Sequence, residues 1–384
     1  MATVSVSDLK KTYGKTVALD GITVDIADNE FFVILGPSGA GKTTTLKSIA
    51  GLVDVDAGSV NISGTDMTLV EPYHRNVAMA FESYALYPQK TVSDNLGSPL
   101  KSGRTGKYTE QQRAERIDQV TTTLGINQLL QRFPRELSNG QRQRVALGRV
   151  LVRPADVYLL DEPLSHLDAK LRAAMRAELK QLGAMSNTTT VYVTHDYQEA
   201  LALGDRIAVM RRGKLVQIGT PEEIWRSPAD TFVARSLGQP EINILDGVVD
   251  DGRIRLADGS LDVAIPTDAT VDRGDRVRVG LRPCDLHVTS GEGSLRGRVV
   301  LAERLGRNIE LTVDVGGAQL IALTSGRHGV GEGDNVTLKI ADSDVHVFAA
   351  GGQERSDPGN GTGDGDTNRL AGSAADRDSL EAAQ

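Results

Sequence analysis

Cysteine is nearly absent from this 384-residue chain, which contains only Cys284. A single cysteine excludes an internal disulfide and a cysteine-rich metal site, as expected for the reducing cytosol. The first residues, MATVSVSDLKKT, contain no apolar signal core, and no run approaches the ~18–20 apolar residues that a membrane-spanning helix needs. We therefore expect a cytoplasmic protein that reaches a membrane only through a partner.

Positive charge is also scarce, because 43 Lys and Arg stand against 51 Asp and Glu and the formal net charge is −8. A surface for nucleic acid or anionic lipid needs clustered positive charge, so no nucleic-acid partner is expected. With 39% hydrophobic residues, the chain is long enough to bury more than one core. Two folded domains are therefore expected.

Apolar runs at 31–35, 157–160 and 191–193 predict buried strands, and the segments between them have helical periodicity. Strands that alternate with helices indicate an α/β fold with a parallel sheet, in which ligands bind at the carboxyl ends of the strands. Between about 90 and 154 a polar segment and amphipathic stretches predict a helical insertion.

Beyond about residue 240 the pattern changes to short alternating strands broken by Gly-Asp turns, which predicts a small β domain. GDRVRVGLRPCDLHV at 274–288 and GDNVTLKIADSDVHV at 333–347 align without gaps, and we interpret them as similar hairpins in one barrel-like sheet. Residues 351–384 are rich in glycine and acidic residues and poor in large apolar ones, which predicts a disordered acidic tail.

A phosphate-binding motif follows the first apolar strand. Its residues are Gly36, Pro37, Ser38, Gly39, Ala40, Gly41, Lys42 and Thr43. They fit the P-loop pattern GxxxxGK[ST], whose glycines let backbone N–H groups converge on phosphate oxygens. Lys42 is expected to reach the β- and γ-phosphates, and the Thr43 hydroxyl to bind Mg²⁺. The alternative, an ordinary glycine-rich turn, does not account for the flanking strand and helix.

Two adjacent carboxylates, Asp161 and Glu162, end the second apolar strand. Asp161 is placed to hold the metal ion, directly or through water, and Glu162 to polarise an attacking water. Paired carboxylates at a strand end also occur at solvated loop entrances. Together with the P-loop, however, they predict a site of nucleotide hydrolysis.

The segment LSNGQRQR at 137–144 resembles the LSGGQ signature of the ATP-binding-cassette (ABC) ATPases and lies before the strand that carries Asp161. The resemblance implies a P-loop NTPase cassette with a RecA-like core and a helical subdomain. It also implies that the signature residues contact ATP bound to a second ATPase subunit. These residues are Ser138, Asn139, Gly140 and Gln141. A simple helix cap explains Ser138 and Asn139 equally well.

Other residues match further elements of the family. Tyr13 resembles the aromatic residue that stacks on adenine, and Thr44 is expected to bind the nucleotide together with the P-loop residues. Asp168 resembles the acidic residue of the dimer-interface loop, and His195 the switch histidine that binds the γ-phosphate. Glu82 departs from the pattern, since the family has glutamine where the side chain touches Mg²⁺ and the attacking water. A carboxylate is still a good Mg²⁺ ligand, so Glu82 is retained as a catalytic and metal-binding candidate.

The segments 84–88, 219–225 and 280–283 extend the resemblance to the maltose-type carbohydrate-importer ATPases. That subgroup implies an ABC ATPase domain over 1–238, with its helical subdomain at about 90–154, and an all-β, OB-like barrel regulatory domain over 239–350. It also implies ATP and Mg²⁺ as cofactors, a homodimer, two transmembrane permease subunits and an extracytoplasmic solute-binding protein. The chain would then lie on the inner face of the cell membrane.

Three alternatives remain open at this point. The importer ATPases for polyamine, iron and sulfate share much of the same pattern. Glu82 is also compatible with a weakly active partner in a heteromeric ATPase pair. A non-transport ABC protein is the most distant alternative, because the chain has no tandem cassette, long coiled-coil insertion or basic arm.

Overall fold

The structure is a computed structural model that describes residues 2–81, 86–101, 108–165, 167–186, 188–256, 261–266, 269–289, 295–325 and 329–350. Its helices are α1 Lys42–Ala50, α2 Val92–Gly97, α3 Glu110–Thr123, α4 Asn139–Leu151, α5 Ala169–Ser186, α6 Tyr197–Leu203, α7 Pro221–Arg226 and α8 Thr231–Arg235. Within the described ranges, none of the helices is long and apolar enough to cross a bilayer.

The first part of the chain forms two sheets. Their strands are β1 Val4–Tyr13, β2 Thr16–Ile26, β3 Phe31–Leu35, β4 Ala57–Ile62, β5 Thr65–Asp66, β6 Val77–Ala80, β7 Val157–Asp161, β8 Thr189–Thr194, β9 Arg206–Arg211 and β10 Lys214–Gly219. One sheet is antiparallel in the order β2-β1-β4-β5, and the other has the order β10-β9-β3-β8-β7-β6. In the second, the pairs from β9 to β6 are parallel, which confirms the predicted α/β architecture.

Alternate residues of β3 pack against different layers. Phe31, Val33 and Leu35 belong to a buried cluster that includes apolar residues of α3 and α4. Phe32 and Ile34 belong to a second cluster with residues of β1, β2 and α1. Because both faces of the strand are covered, its run of five apolar residues is continuous rather than alternating. The amphipathic helices expected between about 90 and 154 are present as α2, α3 and α4.

The later part of the chain is all β, as predicted. Its strands are β11 Asn243–Asp250, β12 Arg253–Leu256, β13 Leu261–Ala264, β14 Arg276–Leu281, β15 His287–Thr289, β16 Leu295–Leu305, β17 Asn308–Val315, β18 Ala318–Ser325, β19 Asn335–Lys339 and β20 Val345–Ala349. They form two antiparallel sheets, β13-β12-β11-β14-β20 and β15-β19-β16-β17-β18, that share one apolar core.

The two similar segments of this region are not hairpins, so that interpretation is wrong. The first segment contributes β14 to one sheet and β15 to the other, and the second contributes β20 and β19 in the same way. β14 pairs with β20 and β15 with β19, so each strand of the first segment pairs with a strand of the second segment. Alternation of apolar residues predicts a strand but does not choose its partner. The tail at 351–384 lies outside the described residues.

Candidate nucleotide-binding and hydrolysis site

The P-loop residues join β3 to α1, as the motif predicted. Gly41 is the N-cap of α1 with φ 109°, and no side chain caps this helix end. A Cβ at Gly41 would lie 2.5 Å from the Ala18 carbonyl oxygen, so only glycine fits the position. At Gly39, by contrast, a Cβ would meet no atom within 4 Å, so open space adjoins the loop. The positive end of α1 is therefore open to an anion.

Lys42 is buried beneath the loop. Its Nζ donates hydrogen bonds to the carbonyl oxygens of Gly36 at 2.8 Å and Pro37 at 3.0 Å. The same nitrogen lies 3.4 Å from Glu162 Oε1. The ion pair of Lys42 with Glu162 thus lies at the base of the P-loop.

The two residues predicted to bind the metal ion, Thr43 near the start of α1 and Asp161 at the end of β7, lie within hydrogen-bond distance. The Thr43 hydroxyl donates to Asp161 Oδ1 at 3.0 Å, and Asp161 is 3% exposed at the end of β7. A hydroxyl and a carboxylate are oxygen ligands of the kind that Mg²⁺ prefers. The described residues contain no cluster of three or more His, Cys, Asp or Glu with metal-ligand geometry. The pair thus suits a metal ion that takes its other ligands from phosphate and water.

Glu162 is the centre of the site. Its backbone has φ 45°, an unusual left-handed conformation for a residue other than glycine, and its N–H donates to the Val193 carbonyl at 3.0 Å. Its Oε1 faces Lys42, while Oε2 lies 2.7 Å from Nδ1 of His195. The carboxylate is thus oriented from both sides, between the P-loop lysine and a half-exposed histidine.

Tyr13 lies at the end of β1, and its side chain is 48% exposed. Lys11 Nζ lies 5.5 Å from the centre of its ring. An exposed aromatic face is what stacking on a base requires. The stacking role itself stays a prediction.

The signature residues lie at the start of α4. Ser138 Oγ accepts a hydrogen bond from the Gln141 N–H at 3.3 Å, and Gln141 Oε1 accepts one from the Ser138 N–H at 2.9 Å, a reciprocal capping box. Asn139 accepts a hydrogen bond from Arg142. Among the described residues, no hydrogen bond or ion pair joins this helix end to the P-loop.

Asp168 caps α5, since its Oδ1 accepts the Leu171 N–H at 2.9 Å. The start of α4 packs nearby: a Cβ at Gly140 would lie 3.2 Å from Leu167 Cδ2, and Gln143 donates to the Pro163 carbonyl. The signature helix therefore contacts the loop that follows Glu162. Glu82 lies outside the described residues, so its predicted role is not placed.

Arg172 and Glu199 belong to a polar network that the motifs did not indicate. Arg172 donates to the Leu167 carbonyl at 3.1 Å and pairs with Asp196 Oδ2 at 3.1 Å. Glu199, which is 2% exposed, lies 4.0 Å from Arg172 and accepts hydrogen bonds from Tyr192 and Thr194. Burial raises the pKa of Glu199, while these hydrogen bonds act in the opposite direction.

This network joins the loop after Glu162 to the segment that contains His195. The apolar positions around Glu199 in α6 and the apolar run of β8 were the available signals for burial, but neither indicates that a residue of α5 contacts one of α6. Arg172 thus lies where it can position His195 without touching the reacting atoms.

The geometry fits a nucleotide with a divalent cation. The open end of α1 and the Lys42 ammonium suit phosphate oxygens, and Thr43 with Asp161 suits the metal. The Glu162 carboxylate, between Lys42 and His195, suits a hydrogen bond to a water molecule. A P-loop between a buried strand and a helix, with carboxylates at the end of β7, two strands away in the same sheet, defines the class of P-loop nucleotide hydrolases.

Comparison with known proteins gives the family. Residues 19–165 match the family described as ABC transporter, residues 279–348 the TOBE domain, and residues 243–288 the CysA C-terminal regulatory domain. The solved dimeric structure of a post-hydrolysis state of the ATP-binding cassette MJ0796, bound to ADP and Pi, is similar with a TM-score of 0.53 and 28% identity. The match covers 57% of this chain and 98% of the MJ0796 chain.

Relatives span nearly the whole chain. The sn-glycerol-3-phosphate import ATP-binding protein UgpC 1 of Rhizobium johnstonii is 41% identical, covering 91% of this chain and 95% of its own. The trehalose/maltose import ATP-binding protein MalK of Thermococcus litoralis is 42% identical, covering 91% and 98%. The xylose/arabinose import ATP-binding protein XacJ of Haloferax volcanii is 42% identical, covering 91% and 94%. The chain belongs to this family of ABC import ATP-binding proteins and is an ATPase.

Proposed function

We propose that this chain hydrolyses ATP to drive the import of a carbohydrate, meaning a sugar, polyol or oligosaccharide. The observation that carries hydrolysis is the Glu162 carboxylate, held between Lys42 and His195 beside the Thr43–Asp161 pair. The substrate class is supported by the relatives, whose names give sn-glycerol-3-phosphate, trehalose or maltose, and xylose or arabinose.

In the proposed reaction, a water oxygen bonds to the γ-phosphorus while the bond from that phosphorus to the bridging oxygen of ADP breaks. Glu162 accepts the proton that the water loses, and His195 holds the γ-phosphate and orients Glu162. Lys42 stabilises the negative charge that develops on the phosphate oxygens. Little covalent chemistry falls to the protein, so positioning and electrostatics account for most of the rate enhancement.

Mg²⁺ would be held by the Thr43 hydroxyl and Asp161, with Glu82 as a further ligand by resemblance. When bound, the metal neutralises charge on the phosphate oxygens. The nucleotide itself would lie on the P-loop from Gly36 to Thr44, with the adenine against Tyr13.

The proposed assembly is a homodimer in which Ser138 and Gly140 of each subunit complete the site of the other. It binds two permease subunits at the inner face of the membrane, and the permease receives solute from an extracytoplasmic binding protein. Within the chain, we propose an ATPase domain over 1–238 and a regulatory β domain over 239–350. The dimeric structure of the cassette MJ0796, with ADP and Pi bound, supports the proposed dimer.

The variant Glu162→Gln tests the reaction. Because the amide cannot accept the water proton, hydrolysis should fall by roughly 10²–10⁴-fold, whereas ATP binding should persist. Glu222→Gln makes the same chemical change at an exposed glutamate that forms an ion pair with Arg226, and this variant should retain full activity. Single-turnover hydrolysis and ATP titration separate the two effects. Near-normal turnover by Glu162→Gln would remove this residue from the proposed mechanism.

The transported solute is tested through the partners. Permease subunits and the solute-binding protein that co-purify with the chain would be reconstituted in vesicles, with sugars, polyamines, ferric iron and sulfate offered separately. Stimulation of ATP hydrolysis by a sugar or polyol supports the carbohydrate proposal. Stimulation by one of the other solutes alone contradicts it.

A further inference from the structure

A small cavity of about 160 Å³ lies between the last helices before residue 238 and the β region. The residues that matter for its chemistry are Tyr197, Trp225, Leu237, Ile242, Arg282 and Leu323. Its volume is below the ~300 Å³ at which pockets for drug-sized ligands begin. The cavity therefore suits a molecule with only a few carbon atoms.

Arg282 is the charged group in the wall. It is 2% exposed, and its Nη1 and Nη2 donate to the carbonyl oxygens of Leu237 and Trp225, each at 2.8 Å. Its guanidinium carbon lies 3.9 Å from the centre of the Trp225 ring. Nε is also buried and has no hydrogen-bond partner within the described part of the chain. The two carbonyls therefore take only two of the five N–H groups of this buried cation.

The charge of Arg282 also lacks a contacting counter-charge in the described ranges. Both acceptors of its hydrogen bonds are neutral carbonyls, and the nearby Asp285 carboxylate instead accepts a hydrogen bond from the Cys284 thiol at 3.4 Å. Burial lowers the pKa of Arg282, and Cys284 and Asp285 oppose this shift only in part. An arginine nevertheless remains protonated in proteins, so an unneutralised cation borders the cavity.

We propose that this cavity binds a small organic monocarboxylate. The carboxylate would pair with the Arg282 guanidinium, and its short carbon chain would contact Leu237, Ile242 and Leu323. A monoanion matches the single cation, whereas a second negative charge would be buried without a partner. A neutral molecule of the same shape would leave the charge of Arg282 uncompensated.

The position of the cavity gives the ligand a regulatory role. Tyr197 is the first residue of α6, and Asp196, which caps this helix, directly follows His195. Arg282 belongs to the β region and bonds to the carbonyl of Trp225 in α7. A bound carboxylate would therefore contact both the β region and the helix that begins beside His195, which links metabolite concentration to ATP hydrolysis.

Cys284 allows a direct test, because it lines the cavity, is exposed and is the only cysteine. Burial of part of the thiol raises its pKa to about 11, so alkylation by iodoacetamide is best followed at mildly alkaline pH. We expect propionate or butyrate to slow labelling of the full chain saturably, by about tenfold at ten times the dissociation constant. Propionamide and sodium chloride at equal ionic strength are the controls. Unsaturable slowing, or equal slowing by propionamide, overturns the proposal.

Two variants locate the effect. Arg282→Gln removes the cation, and Leu323→Phe fills the cavity while leaving Arg282 unchanged; both should label at a rate that propionate no longer affects. Leu301→Phe, at an exposed position of β16, should keep the protection. If Arg282→Gln fails to fold, the Leu323→Phe variant provides the test. Protection of Cys284 by propionate that persists in Leu323→Phe would place the carboxylate outside this cavity and overturn the proposed site. ATP hydrolysis that is unchanged by saturating propionate overturns the regulatory role alone.

Discussion

The N-termini of α1 and α4 have opposite local chemistry. At α1 the N-cap is Gly41, and no side chain satisfies the first amides of the helix. At α4 the Ser138–Gln141 capping box satisfies two backbone donors within the chain. Both helix ends carry partial positive charge from the macrodipole. Of the two, α1 is the one whose first amides have no side-chain cap.

The difference shows how each helix end can bind phosphate. α1 can bind phosphate with backbone amides and the Lys42 ammonium of a single chain. At α4, Ser138 Oγ uses a lone pair to accept the Gln141 N–H, which leaves its hydroxyl proton free to donate. The amide of Gly140 at the second helical position also lacks an intrahelical acceptor. The α4 end is thus suited to complete a site that another subunit has begun.

Gly41→Ala should have the largest effect. The substitution forces a Cβ to within 2.5 Å of the Ala18 carbonyl in a left-handed backbone conformation, so we expect a loss of roughly 3 kcal/mol in the free energy of unfolding. ATP binding should be lost with the shape of the loop. Urea unfolding and nucleotide titration measure the two effects. Gly64→Ala, with a positive φ but no atom within 4 Å of the added Cβ, is the control for backbone strain alone.

Ser138→Ala should separate hydrolysis from binding. Loss of a phosphate donor at the proposed dimer site is expected to lower hydrolysis by about 10²-fold, whereas binding of ATP to the P-loop should not change. Loss of the cap costs about 1 kcal/mol of stability. Thr220→Ala breaks the similar capping box of α7 and should cause the same loss of stability with normal turnover. Equal hydrolysis in both variants would reduce Ser138 to a helix cap.

Arg172→Ala should break the link between the loop beside the start of α4 and the segment that contains His195. Arg172 bonds to Leu167, which packs against the start of α4, and to Asp196, which follows His195. Without it, misplacement of His195 should lower kcat by about tenfold while KM for ATP stays constant. Arg172→Lys should restore only part of the activity, since an ammonium carries its donors on one atom and lacks the planar fork of the guanidinium.

Arg176→Ala, one turn later on α5, is the control for this prediction. Arg176 donates a long hydrogen bond, 3.4 Å, to the exposed Gln198 side chain, so its removal should leave kcat unchanged. A rise in KM for Arg172→Ala without a change in kcat would contradict the positioning role.

The sequence was sufficient to predict the parallel sheet and the meeting of Lys42, Asp161, Glu162 and His195, because each follows a buried strand and such strand ends share one edge. It did not predict the ion pair between Lys42 and Glu162, which depends on the left-handed backbone at Glu162. Nor did it predict the role of Arg172, since that contact depends on how α5 packs beside α6.

The β region shows a second limit. Alternation of apolar residues correctly indicated strands near β14 and β19, and the turns between strands were marked by glycine and aspartate. The pairing was wrong because strands with similar alternation can bond to many partners, and long-range closure around the shared core decides among them.

Gly140→Ala is the matched partner of Gly41→Ala and should have the smallest effect. A Cβ at Gly140 would lie 3.2 Å from Leu167 Cδ2 and 3.5 Å from Leu171 Cδ2, the mobile tips of two side chains, and it would meet no backbone. Alanine also favours a helix over glycine by roughly 0.5–1 kcal/mol, so stability should stay constant or rise slightly. If backbone at Gly140 approaches a partner-bound phosphate, the added methyl group should still lower hydrolysis roughly three- to tenfold, about 1 kcal/mol in the barrier. ATPase rates and thermal melting of the same preparation distinguish these effects. Unchanged hydrolysis with unchanged stability would show that close approach at Gly140 is not needed, and that Ser138 alone accounts for the contribution of α4.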